Sequence, residues 1–65
     1  MNNKLVRKFA KAIEKAALEY PEPPERGAQF ANKCALTAVR IYGINAASST
    51  EETCAFQKAY DNYFN

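Results

Sequence analysis

Sixty-five residues, with nine Lys or Arg, seven Asp or Glu and no histidine, make a short chain of formal charge +2. A domain of this size hides only about 60% of the surface its unfolded form exposes, and twelve of its residues are alanines, which favour helix but bury little area. Such a composition argues against catalysis by a histidine base, against a zinc site built from only Cys34 and Cys54, and against a glycine-rich phosphate loop, since the chain has only Gly27 and Gly43.

Residues 3 to 20 carry the first predicted helix. At 3.6 residues per turn Leu5, Val6, Phe9, Ala12, Ile13, Ala16 and Tyr20 share one face. The other face holds Lys4, Arg7, Lys8, Lys11 and Lys15. Like charges at these spacings repel by about 0.2–0.5 kcal/mol per pair, and only Lys15 with Glu19 supplies a compensating i, i+4 pair. The stripe is either a solvated face or a contact surface for something anionic. Leu18 falls in the middle of it, out of pattern.

The connector, Tyr20 to Gly27 (YPEPPERG), is short and stiff. Each proline fixes its own φ and turns the preceding residue away from helix, so the first helix ends by Tyr20. Prolines are tolerated in a first helical turn, where Glu22 and Glu25 would suit the positive end of the dipole. The second helix therefore reads as 24 to 42. Its longest unbroken pattern, Ala28 to Tyr42, is the one around which the other segments are expected to pack. Phe30, Ala31, Cys34, Ala35, Ala38, Ile41 and Tyr42 face inward; Arg26, Gln29, Lys33 and Arg40 lie opposite. Gly27, Ala31, Ala35 and Ala38 form a seam of small residues that would let a neighbouring helix come close. Leu36, like Leu18, lies outside the apolar face. The two leucines are either exposed by chance or part of a wider core, or they mark where a third helix, a second subunit or a partner covers that side.

Gly43 is placed for the position after a helix end, with Ile44 folding back as in a Schellman cap. Ser49 and Glu52 read as a capping box, with Ser48 and Glu51 the alternative one residue earlier. The third helix follows over 50 to 63, with Phe56, Ala59, Tyr60 and Tyr63 on one face and Phe64 at its margin. Cys54 falls opposite that face whereas Cys34 points inward, so two free thiols are expected. There is no signal-peptide pattern and no apolar run near the roughly 20 residues that span a bilayer, which points to the cytoplasm.

Residues 1 to 18 carry a net +4 and the remainder a net −2. The turn VRIYGINAASS has the outline of a helix-turn-helix, but Ser49 stands where an apolar core residue belongs. Glu51 and Glu52 would also open the recognition helix against phosphates. Weak backbone attraction through the first helix is what remains for nucleic acid. The apolar face of that helix is diluted by alanine, which argues against membrane binding.

In its size and layout, carried by MNNKLVRKFAKAIEKAALEY, PEPPERG and NKCALTAVRIYG, the chain resembles the small all-helical accessory proteins of lambdoid bacteriophages and prophages. That resemblance implies a protein that binds host or phage proteins inside the bacterium. The expectation is thus an all-α single domain over 1–65: an antiparallel hairpin plus a shorter C-terminal helix, homodimeric, non-enzymatic and without a cofactor. Its partner contacts would be Lys4, Arg7, Lys8, Lys11, Lys15, Leu18 and Leu36. The alternative is a weak electrostatic nucleic-acid binder using the basic face of the first helix.

Overall fold

A computed structural model describes residues 3–65 of the chain. Within them the fold is all-α, with helices α1 (Asn3–Glu19), α2 (Ala28–Tyr42) and α3 (Thr50–Tyr63). The expected amphipathic stripe of α1 is realised: Phe9, Ala12, Ile13 and Ala16 are each 0% exposed, and Leu5, Val6 and Tyr20 pack against them. The helix organising the fold is α1, in place of α2. Both α2 and α3 run their backbones close along it, while they approach each other mainly through side chains.

The α1–α2 hairpin is antiparallel. At one end the rings of Tyr20 and Phe30 meet at 5.3 Å; at the other the Tyr42 hydroxyl donates to the Lys8 carbonyl at 2.9 Å. α3 returns in the general direction of α1, placing Phe56 on Phe9 at 5.5 Å. Tyr60, Tyr63 and Phe64 then collect around Phe30 at ring distances of 6.1, 5.9 and 5.8 Å. Each such aromatic pair adds roughly 0.5–1.5 kcal/mol beyond its buried area, which offsets the thin burial of the alanines.

α2 begins at Ala28, four residues later than Pro24. A contact from α3 explains the delay. The backbone N–H of Gly27 donates to the Tyr60 hydroxyl at 3.0 Å, and that hydroxyl donates to the Gly27 carbonyl at 2.9 Å. Gly27 is thereby held extended (φ 170, ψ 177), and its carbonyl accepts the first helical bond, from Ala31 N–H, at 3.0 Å. Pro23, Pro24, Glu22 and Glu25 all stay in the connector, and the first turn of α2 holds no acid. Arg26 hydrogen-bonds Asp61 on α3, so the connector is tied to α3 twice.

The other end of α2 also differs from expectation. Gly43 has φ +106 and ψ 167, a combination that belongs almost entirely to glycine. It sends the chain outward, so Ile44 is 86% exposed and does not fold back. Ala46 returns to the core in its place. α3 starts as its sequence predicts: Ser49 Oγ accepts from Glu52 N–H at 3.1 Å, and Glu52 Oε1 accepts from Ser49 N–H at 3.2 Å, completing the capping box.

Along α2 the buried residues are Phe30, Cys34, Thr37 and Ala38. Thr37, unassigned by the apolar pattern, is accommodated because its hydroxyl donates to the Lys33 carbonyl at 2.8 Å. Of the predicted small-residue seam only Ala38 is buried; Ala31 is half-buried, and Ala35 and Gly27 are exposed. Ile41, expected inside, is also exposed. The burial of α1 and the exposure of Ala35 generate a paired prediction. Ala16→Leu should overpack the core and cost about 1–3 kcal/mol, whereas Ala35→Leu should stay within about 0.5 kcal/mol of the parent. Urea denaturation in dilute solution measures both, and equal midpoints would mean that the buried face has been misassigned.

Candidate functional site

The basic stripe of α1 is divided by the fold. Glu19, at the end of α1, gathers Lys33 Nζ at 3.1 Å, Arg40 at 3.3 Å and Lys15 Nζ at 4.0 Å. Lys33 and Arg40, read from the sequence as the wet back of α2, are thus turned toward α1. The Lys33 hydrogen bond is the largest influence on the Glu19 carboxyl; desolvation, the next largest, opposes it, and the charges of Arg40, Lys33 and Lys15 add to the hydrogen bond, so that the carboxyl stays below its ordinary value of 4.5. Lys15 is drawn out of the stripe and into this cluster.

The remaining cations, Lys4, Arg7, Lys8 and Lys11, line a cleft of about 330 Å³ together with Tyr42 of α2. Lys8 Nζ lies 4.6 Å from the centre of the Tyr42 ring and 5.6 Å from that of Phe9. Tyr42 was legible only as an apolar-face residue. Its place among the cations depends on the α1–α2 pairing, which helical periodicity does not report.

A second surface lies between α2 and α3. Ala35, Ala38, Val39, Ala46, Ala47 and Phe56 line an apolar groove of about 220 Å³, edged by Thr53 and Gln57. Leu36, 65% exposed, stands beside it on α2. The small residues expected to seat another helix of the same chain therefore face open space at Ala35. Leu18 is 88% exposed and lies elsewhere, by a cleft with Glu14, Ala17, Pro24 and Tyr63. The two leucines do not form one patch. Val39, Ala46, Ala47 and Phe56 were missed as groove residues because they come from two helices and a loop.

Both cysteines are free, Cys34 buried and Cys54 exposed. Burial pushes the Cys34 thiol up to about 11, leaving it inert at neutral pH. Among the described residues no three His, Cys, Asp or Glu side chains are grouped to hold a metal ion, and no helix is long and apolar enough to cross a membrane. Comparison of the chain with protein-family models, with curated proteins and with solved structures finds no match.

The Glu19 cluster generates a pH prediction. Because the folded carboxyl ionises below its unfolded value, its stabilisation is present in full above the ordinary carboxylate range and is lost as pH falls through the folded value. Glu19→Gln should therefore melt below the parent at pH 7, with the gap closing on acidification below the ordinary value of 4.5 and shrinking in high salt. Thermal melts across pH measure this; a gap that widens in acid would contradict the assignment.

Proposed function

We propose that the chain is a small non-enzymatic protein-interaction module whose docking surface is the α2–α3 groove, and that its first partner is a second copy of itself. The observation that carries this reading is an apolar groove lined by Ala35, Ala38, Ala46 and Ala47 with the exposed Val39 at its edge, and the exposed Leu36 as the i−3 neighbour of Val39 on the same helix. A two-fold interface uses the same patch on both copies and so requires a face that offers projections and hollows together. None of the residues lining the groove is charged, and the cations three and four residues from Leu36 on its helix, Lys33 and Arg40, are paired with Glu19, which limits like-charge repulsion between two copies. The basic side of α1 would oppose such a meeting.

Size supports a macromolecular occupant. Enclosed small-molecule pockets run to about 300–1,000 Å³, and this groove is smaller and open. A stable pair buries roughly 800 Å² per copy, under a fifth of the 4518 Å² the chain exposes. The resemblance to phage accessory proteins extends the proposal: the further partner is a host or phage protein in the bacterial cytoplasm, and the role is regulatory.

Sedimentation equilibrium of the parent and of Leu36→Glu tests the self-association. The parent should approach twice the chain mass at concentrations about tenfold above a micromolar affinity. Leu36→Glu should stay at one chain mass while keeping its helical circular dichroism, since Leu36 is exposed in the single chain. A parent that remains at one chain mass would refute the second copy as occupant.

A further inference from the structure

We infer that the cleft formed by Arg7, Lys8, Lys11 and Tyr42, with Lys4 at its edge, is a phosphate-backbone site for duplex nucleic acid. The inference goes beyond the proposed interaction module and does not depend on it, because the cleft lies on α1 and the end of α2, and shares no lining residue with the α2–α3 groove.

The first observation is where the charge sits. A helix is stabilised by carboxylates in its first turn and by cations in its last. α1 has no acid in its first turn and no base in its last, while its cations crowd the N-terminal half. Helix stability does not account for that placement, whereas an anionic ligand does. No carboxylate lines the cleft, and Glu19, which could have neutralised part of the stripe, is engaged with Lys15, Lys33 and Arg40.

The second observation is the spacing. At about 1.5 Å of rise per residue, positions 4 to 11 cover roughly 10 Å of helix. One strand of a duplex presents a phosphate about every 3.4 Å of axis. Three phosphates therefore fit the length of the cation row. A lone anion would use only part of it.

The third is the role of Tyr42. Its hydroxyl is committed to the Lys8 carbonyl at 2.9 Å, and its ring is overlaid by Lys8 Nζ at 4.6 Å. The ring is thus unavailable for stacking on a base, and instead holds the Lys8 ammonium at the cleft, making Tyr42 a positioning residue. Contacts of this kind carry no sequence information. An anionic membrane is disfavoured as the partner, since a surface helix must offer its apolar face to lipid and that face of α1 is buried in the core.

Fluorescence anisotropy with a labelled 20-base-pair duplex, titrated at several salt concentrations, tests the inference. Three phosphate contacts predict a slope of log K against log salt near −2.7, so a tenfold rise in salt should weaken binding about 500-fold. Arg7→Gln and Lys11→Gln should each make the slope shallower by about 0.9 and affect unrelated duplex sequences equally. Lys58→Gln on α3 should leave binding unchanged. Circular dichroism of each variant should match the parent, as expected for substitutions at exposed positions. A slope near zero, an equal loss from Lys58→Gln, or equally tight capture of poly-glutamate through Arg7 and Lys11 would each overturn the assignment to nucleic acid.

Discussion

Phe9, Ala12, Ile13 and Ala16 of α1 are withdrawn completely from solvent, and theirs is the one surface against which both other helices pack closely. Two of the four are alanines, so α2 and α3 can each come close to α1 from its two flanks. Their contact with each other is then left to side chains, and those are unevenly distributed. Toward one end Phe30, Tyr60, Tyr63 and Phe64 fill the space with rings. Toward the other the facing residues are largely alanines, Ala35, Ala38, Ala46 and Ala47, and the space stays open as the groove. The candidate docking surface is thus a consequence of how the core is built.

What could be read from the sequence was what local chemistry decides. The face of α1 follows from the spacing of its apolar residues, and the start of α3 from the Ser49–Glu52 box, whose bonds are all local. The missed features depend on partners distant in the chain. The start of α2 is set by a tyrosine hydroxyl thirty-three positions away, so the prolines and glutamates of the connector could not reveal it. Ile44 was expected inside because it follows a glycine, but Gly43 takes a conformation other than the left-handed turn that would fold it back. Helical spacing gives Ala35 a place on the wide apolar face of α2, and its size a place in the seam, yet it is exposed. Lying a third of a turn from Cys34, it falls outside the face that α1 covers.

Charge separates the surfaces as clearly as shape does. Glu19 binds together one cation from its own helix and two from α2, closing the α1–α2 hairpin at its exposed side; such half-exposed pairs contribute modestly and weaken in salt. The α1 cations outside that cluster, Lys4, Arg7, Lys8 and Lys11, lie around Tyr42, away from the uncharged groove. An apolar contact and an electrostatic one can therefore be made by one small chain without competing for residues. Their responses to salt differ in kind, since phosphate contacts are lost steeply with ionic strength and apolar burial is not.

Whether the α2–α3 groove is an interface is read residue by residue from a dilution series of methyl NMR spectra on the unaltered chain. If it is, concentration-dependent shifts are confined to the methyl groups of Ala35, Leu36, Ala38, Val39, Ala46, Ala47 and Thr53, with Leu18, Ile44 and the α1 core unmoved. Shifts centred on Leu18 or along α1, or none across the range, would contradict it.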